Sequence, residues 1–120
     1  MKKVFMVDDA ANSQITLKKI LVKNGFEVVG ESEAGLTAVE KYSLVQPDIV
    51  IISLSIRDGI TAIKKICAVN VNAKIVVITV AGKMDSLREA VAAGASGFIV
   101  KPYIEEVVIK TLQAVLSLVA

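Results

Sequence analysis

Five polar side chains stand at the carboxyl ends of short apolar segments in this chain. Two are the adjacent carboxylates of Asp8 and Asp9, and one is the ammonium group of Lys101. The other two are the hydroxyls of Ser53 and Thr79. If the apolar segments are parallel strands, their carboxyl ends meet at one edge, and these groups are expected to converge on Ser53.

The apolar segments are predicted to be β-strands, because they are short, rich in β-branched residues and bounded by turn signals. The predicted strands cover residues 3–7, 26–30, 47–52, 74–79 and 97–100. Helices are predicted over residues 13–24, from Gly35 to Gln46-Pro47, over about 59–69 and 85–93, and from about residue 104 to the end. Strict alternation of five strands and five helices predicts an α/β fold in which helices cover both faces of a parallel sheet. No repeat or linker interrupts the pattern, so residues 1–120 are expected to form a single domain.

The composition narrows the class of function. Histidine is absent, which excludes histidine-based catalysis, histidine metal ligands and a phosphohistidine carrier. The net charge is only +2 and the lysines are scattered, so nucleic-acid binding by this chain alone is not expected. No apolar run approaches the ~20 residues of a membrane span, and the amino terminus lacks a signal-peptide pattern, so a cytoplasmic protein is expected. Cys67 lies at an apolar helical position, where core packing is its expected role.

A set of motifs in fixed order resembles the receiver domains of two-component response regulators, in particular the CheY type of chemotaxis. The motifs are Val7-Asp8-Asp9, Gln46-Pro47-Asp48-Ile49-Val50, Thr79, and Gly97-Phe98-Ile99-Val100-Lys101-Pro102-Tyr103. The resemblance spans the whole chain. It implies a flavodoxin-like, doubly wound, five-stranded parallel sheet with strand order 2-1-3-4-5 and five helices. It also implies a non-enzymatic signalling role.

The resemblance implies specific roles for the polar cluster. In the family, the acidic pair and a third aspartate bind Mg²⁺, and that third aspartate accepts phosphate from a histidine kinase. The roles implied here are metal binding by Asp8 and Asp9, phosphate contact by Thr79 and Lys101, and switching by the aromatic ring of Phe98. Ser53 falls on the position of the phosphate acceptor. Without a phosphate, Lys101 is expected to pair with Asp8 or Asp9.

The chain departs from the family pattern around Ser53. Gly59 follows Ser53 by only six positions, fewer than is usual in the family, and Ile56-Arg57 replaces a Met-Pro pair. Val80 stands where the family prefers alanine or glycine, and its bulk is expected to narrow access for phosphate. A serine needs a neighbouring base to become a strong nucleophile, and a phosphoserine ester would not be labile. The sequence therefore predicts a pseudo-receiver in which Ser53 is not phosphorylated and Mg²⁺ binds weakly or not at all.

Two alternative functions remain open. Asp58 could replace the missing acceptor in a rearranged loop, although its position before Gly59 also suits a helix N-cap. Asp48 is excluded because it lies roughly 16 Å upstream on the strand, at about 3.3 Å per residue. The other alternative is a flavin- or nucleotide-binding protein on the same fold, whose first loop should be rich in small residues and phosphate-binding amides. The carboxylates of Asp8 and Asp9 would repel such a phosphate.

The last helix carries more apolar residues than one buried face requires. They are Val107, Val108, Leu112, Val115, Leu116, Leu118 and Val119. The surplus predicts an exposed apolar patch, which together with the fifth strand is expected to contact a signalling partner. A homodimer, or a following domain in a longer protein, would cover the same patch.

Overall fold

Ten secondary-structure elements alternate along residues 1–118, the part of the chain that this computed structural model describes. The strands are β1 (Lys3–Val7), β2 (Glu27–Ser32), β3 (Ile49–Ser53), β4 (Ile75–Val80) and β5 (Gly97–Lys101). The helices are α1 (Ala11–Lys23), α2 (Gly35–Val45), α3 (Gly59–Val69), α4 (Met84–Ala93) and α5 (Glu105–Leu116). The predicted α/β alternation is confirmed. The predicted continuation of the last helix to the chain end is wrong for Ser117 and Leu118, because α5 ends at Leu116, and residues 119–120 lie outside the described part of the chain.

The five strands form one parallel sheet in the order β2-β1-β3-β4-β5. This is the predicted flavodoxin-like order. Each connection from one strand to the next contains a helix, because parallel neighbours cannot be joined by a tight turn. The strand β3 lies at the centre, where it pairs with both β1 and β4. The order reverses beside β1, so the carboxyl ends of β1 and β3 open onto a common crevice.

Two apolar cores lie on opposite faces of this sheet. On one face, α1 and α5 pack Leu17, Leu21, Val108, Leu112 and Val115 against the sheet. On the other face, α2, α3 and α4 contribute Ala38, Tyr42, Ile63, Ile66, Leu87 and Ala90. Adjacent residues of β3 alternate between the two cores, because successive side chains of a strand point to opposite faces. All five residues of β3 are buried, and Ser53 is the polar residue among them.

The element boundaries differ from the sequence prediction by one or two residues at several ends. The helix α1 starts at Ala11 rather than residue 13, and β2 continues through Ser32 rather than stopping at residue 30. The register of β1 against β2 shifts between Val4 and Phe5, an irregularity that hydrophobic patterning does not reveal. Gly25 follows α1 with φ of 84°, the left-handed conformation expected of a glycine that ends a helix.

None of the helices within residues 1–118 has both the length and the apolar character needed to cross a lipid bilayer.

Candidate functional site

The hydroxyl of Ser53 lies at the bottom of the crevice at the carboxyl end of β3, where the residue is only 1% exposed. Its Oγ lies 2.7 Å from Ser55 Oγ and accepts a hydrogen bond of 3.3 Å from the Ser55 backbone amide. Ser55 in turn donates its hydroxyl hydrogen to Asp9 Oδ1 at 3.1 Å. Because a hydroxyl carries one hydrogen, Ser53 is the donor in its contact with Ser55. The three side chains therefore form a directed chain of hydrogen bonds that ends on Asp9.

Asp8 is the buried carboxylate of the site. Its Oδ1 accepts a hydrogen bond of 3.0 Å from the Ala10 amide, and its Oδ2 lies 3.8 Å from Lys101 Nζ. Within residues 1–118, Asp8 Oδ2 is the one buried side-chain polar atom that lacks a hydrogen-bond partner. The positive charge of Lys101 therefore balances the negative charge of the Asp8 carboxylate. Of the two partners expected for Lys101, the structure places Asp8 against it.

Tyr103 forms the outer wall beside this ion pair. The Lys101 ammonium lies 6.0 Å from the centre of its ring, and its hydroxyl is 2.7 Å from Ser13 Oγ. Burial raises the pKa of the Tyr103 phenol to about 12; the hydrogen bond with Ser13 counteracts part of the rise, and the charge of Asp8 adds to it. The phenol therefore remains a neutral group at physiological pH.

A cavity of about 240 Å³ opens on the other side of Ser53, between the ends of β3 and β4 and the start of α4. Its lining residues are Ser53, Leu54, Ser55, Ile78, Thr79, Val80, Lys83, Ser86 and Lys101. Thr79 is 7% exposed, and its Oγ1 makes only a long contact of 3.4 Å with the carbonyl of Val80. Val80 forms part of the wall and leaves this volume open. Ser53, Thr79 and Lys101 are therefore brought to one cavity.

Phe98 lies outside this cavity. It belongs to the edge strand β5, one strand beyond Thr79, and is 48% exposed. Val100, two residues later, projects from the same side of the strand and is also exposed. The switch role that the resemblance assigns to Phe98 stays a prediction.

Asp58 is separated from the cluster. It occupies the N-cap position of α3, but the predicted capping hydrogen bond is wrong: its side chain makes none. Its ψ of 25° is not the extended conformation in which a cap side chain reaches the first helical amides. Its backbone and Cβ instead pack against Gly35 at the start of α2. Asp48, at the opposite edge of the sheet, accepts a hydrogen bond from the Lys3 amide.

The acidic end of β1 offers carboxylate oxygens that suit a Mg²⁺ ion. Asp8 Oδ2 is a carboxylate oxygen without a hydrogen bond, and the exposed side chain of Asp9 lies next in sequence. Across the described residues, however, no third acidic or cysteine side chain completes a metal-binding group. Mg²⁺ is commonly held by one or two carboxylates while it keeps several waters, so two carboxylates are compatible with binding.

Sequence reasoning missed three side chains of the site. Ser55 bridges Ser53 and Asp9, while Lys83 and Ser86 line the cavity from the start of α4. The signal for Ser55 was its spacing of two residues from Ser53. However, the turn through residues 54–58 that aligns it cannot be read from hydrophobic patterning. Lys83 and Ser86 would require knowledge of how α4 approaches β4.

Comparison with known proteins agrees with this geometry. The response regulator receiver domain family matches residues 4–113. The chemotaxis protein CheY of Thermotoga maritima is 44% identical over 116 residues, covering 95% of this chain and 97% of that protein. CheY of Bacillus subtilis is 41% identical over 117 residues, covering 96% and 98%. A solved CheX–CheY–BeF3–Mg²⁺ complex from Borrelia burgdorferi contains a chain with 29% identity and a TM-score of 0.90, covering 98% of this chain and 90% of that chain.

The family match covers almost the whole chain, and the curated CheY proteins match along nearly their full length. The sheet order, the position of Asp8 and Asp9 and the Lys101 contact lie within the matched region. This chain belongs to the response regulator receiver domain family and is a CheY-like module of two-component signalling.

Proposed function

We propose that this receiver signals through protein contacts without covalent phosphorylation, as a pseudo-receiver. The observation that carries the proposal is the state of Ser53: its hydroxyl is buried and donates to Ser55, and no histidine is present to accept its proton. The hydrogen-bond chain leads to Asp9, whose carboxylate is a much weaker base than the histidine that activates serine nucleophiles. Ser53 is therefore a poor acceptor, and the chain acts as a non-enzymatic module.

The proposal also includes weak binding of Mg²⁺. Asp8 and Asp9 would hold the ion, and it would supply positive charge close to Ser53 and Lys101. Since Lys101 already lies 3.8 Å from Asp8, the cation must compete with an ammonium group for that carboxylate. We expect binding to be weaker than at a site with three carboxylates.

The partner surface of the proposal is the face formed by β5 and α5. Phe98 and Val100 of β5 and Val107 of α5 are all exposed, and Val107 is 50% exposed although α5 buries its neighbour Val108. Exposed apolar groups of this kind are typical of protein contact sites. Leu118 is also exposed, as the surplus of apolar residues predicted. A signalling protein is the proposed partner. Four further expectations remain predictions: a homodimer through this face, the lack of nucleic-acid binding, the cytoplasmic location and the single-domain organisation.

Intact mass measurement tests the proposal. The wild-type chain and the Ser53→Asp variant are incubated with Mg²⁺ and acetyl phosphate. We expect only the variant to gain a labile phosphoryl group, because it restores a carboxylate at the end of β3. If neither chain gains mass, the short loop rather than the side chain prevents transfer.

Asp58→Asn provides the control for the alternative acceptor. A labile phosphoryl group on the wild-type chain would contradict the proposal. Its loss in Asp58→Asn would then identify Asp58 as the acceptor and show that the loop rearranges, since Asp58 packs against Gly35 in this structure.

A further inference from the structure

The side chain of Gln14 connects the acidic end of β1 to two neighbouring elements. Gln14 is the fourth residue of α1 and is half-buried. Its Nε2 donates to the backbone carbonyl of Asp8 and, at 3.5 Å, to the backbone carbonyl of Ser32. Both partners are acceptors, so the nitrogen of the side-chain amide must face them, and its two hydrogens can serve both.

These contacts hold the backbone of Asp8 from both sides. Its amide donates to the Ser32 carbonyl at 2.9 Å, and its carbonyl accepts from Gln14. Ser32 is a firm anchor because it ends β2, is only 5% exposed, and donates its hydroxyl hydrogen to the Ala34 carbonyl at 3.0 Å. Asp8 is therefore tied to the end of β2 through its nitrogen and to α1 through its oxygen.

A single polar atom of Asp8 remains without a hydrogen bond. The amide, the carbonyl and Oδ1 are all engaged, the last with the Ala10 amide at 3.0 Å. Oδ2 has no hydrogen bond and lies 3.8 Å from Lys101 Nζ. A ligand atom that its neighbours already orient loses little freedom when it binds an ion. Gln14 thus completes the set of contacts that orients Oδ2.

The solvent beside Gln14 separates orientation from stability. Gln14 lines an open crevice of about 530 Å³ between α1 and α2. If its side chain were shortened, water from this crevice could donate to the Asp8 carbonyl instead. Such a water would satisfy the carbonyl but would not tie it to α1. Loss of Gln14 should therefore loosen Asp8 more than it destabilises the fold.

We propose that Gln14 is a positioning residue for the Mg²⁺ site, which fixes the backbone of Asp8 so that Oδ2 is presented to the ion. This inference rests on the proposed function for the weak Mg²⁺ site at Asp8 and Asp9. Gln14 itself does not touch the ion. It acts on the affinity through the carboxylate that it orients.

The test is a titration with Mg²⁺ of the isotope-labelled full chain, followed by ¹H–¹⁵N NMR at constant ionic strength. Gln14→Ala should raise the dissociation constant about tenfold, the lower end of the range for hydrogen bonds that orient metal ligands. Gln113→Ala, the same change at an exposed position of α5, is the matched control and should leave it unchanged. Equal dissociation constants for Gln14→Ala and the wild type would overturn the proposal.

Two further measurements exclude a merely structural role. A scalar coupling across the hydrogen bond should connect the side-chain nitrogen of Gln14 to the carbonyl carbon of Asp8 in the wild type, and its absence would refute the contact. The midpoint of urea unfolding for Gln14→Ala should stay close to that of the wild type. A lowered midpoint together with unchanged Mg²⁺ affinity of the folded chain would assign Gln14 to the fold alone.

The same comparison in a Ser53→Asp background separates this inference from the proposed function. If Mg²⁺ binds only in that background, the weak site of the wild type is refuted, and tenfold weakening by Gln14→Ala there still supports positioning. Absence of Mg²⁺ binding in both backgrounds would refute the positioning role as well. A gain of mass by the wild type with acetyl phosphate would defeat the pseudo-receiver and leave the role of Gln14 standing.

Discussion

Ser55 joins the hydroxyl and acidic parts of the site at the scale of single residues. It accepts a hydrogen bond from Ser53 and donates one to Asp9, so the loop after β3 is tied to the end of β1. Neither contact depends on a ligand. The crevice is therefore held together by hydrogen bonds between two hydroxyls and one carboxylate.

Replacement of Ser55 by alanine should destabilise the chain. It removes the bond to Asp9 and leaves the buried Ser53 hydroxyl without its acceptor, and one such bond contributes about 1 kcal/mol. Urea unfolding measures the change. Ser43→Ala, on the exposed surface of α2, is the matched control and should be neutral or slightly stabilising because alanine favours helix. Equal midpoints for Ser55→Ala and wild type would show that the bridge contributes nothing.

The phenol of Tyr103 predicts a dependence of stability on alkaline pH. Its pKa is about 12 in the folded chain against an ordinary value of 10.0. Between these values the unfolded chain loses the proton and the folded chain keeps it. The unfolded state then binds fewer protons, and the free energy of unfolding falls as pH rises from about 10 to 12. Below pH 10 the contribution of the neutral phenol is fully present.

Denaturant unfolding at several pH values checks this expectation. Tyr103→Phe should lose the part of the decline that belongs to this phenol, and ultraviolet titration of the phenolates should then report Tyr42 alone. A decline of the same size in Tyr103→Phe would assign it to other groups, such as the lysines.

Patterns in the sequence predicted part of the site because strand ends are marked locally. Asp8, Ser53, Thr79 and Lys101 each end an apolar segment, and a parallel sheet brings such ends together. The contacts between these residues could not be predicted from the sequence. Which carboxylate pairs with Lys101, and which hydroxyl bridges to Asp9, depend on distances of a few ångströms set by the turn through residues 54–58.

The first residues of α2 and α3 differ in a packing constraint that the sequence does not reveal. Gly35 and Gly59 are the first residues of α2 and α3, and the sequence does not distinguish their roles. A Cβ on Gly35 would lie 2.5 Å from the Asp58 carbonyl oxygen, whereas a Cβ on Gly59 would meet nothing closer than 3.4 Å. The start of α2 is thus pressed against the backbone of the loop at Asp58.

Gly35→Ala should therefore lower stability by about 1–3 kcal/mol, the usual range for overpacking a tight contact. Gly59→Ala is the control at the equivalent helical position and should be neutral or stabilising by up to about 1 kcal/mol. Thermal unfolding followed by circular dichroism compares the two variants. If Gly35→Ala proves as stable as Gly59→Ala, the loop at Asp58 is free to shift, which would favour the rearranged acceptor.

Element boundaries were predictable to within one or two residues where caps and turns signal them, as at Gly25 and Pro47. Asp58 failed as a side-chain cap because the capping hydrogen bond needs an extended backbone, and the tight loop imposes a different ψ. The apolar surplus of α5 did not show which of its residues are buried; the structure places Val108, Leu112 and Val115 in the core.

At the scale of the whole molecule, one sheet carries both apolar cores. The same strands supply Met6 and Ile51 to one core and Phe5 and Ile52 to the other. Loss of packing on either face exposes strand residues that support the opposite face. The described residues are therefore expected to unfold as one cooperative unit.

The two tyrosines provide reporters for this expectation. Tyr42 lies in the core formed with α2, α3 and α4, and Tyr103 packs against the core formed with α1 and α5. In each single-tyrosine variant, Tyr42→Phe or Tyr103→Phe, urea unfolding by tyrosine fluorescence should coincide with unfolding by far-ultraviolet circular dichroism. Separate transitions in either variant would mean that one face melts before the other.

The contact between Asp8 and Lys101 also constrains how this sequence can evolve. Asp8 is buried, its Oδ2 has no hydrogen bond, and Lys101 forms its ion pair. Loss of Lys101 alone would therefore leave an uncompensated buried charge. A lineage that no longer uses the site avoids this cost only if it loses Lys101 together with Asp8 or after it. Retention of Lys101 in such a lineage would therefore reflect the stability of the fold and not signalling alone.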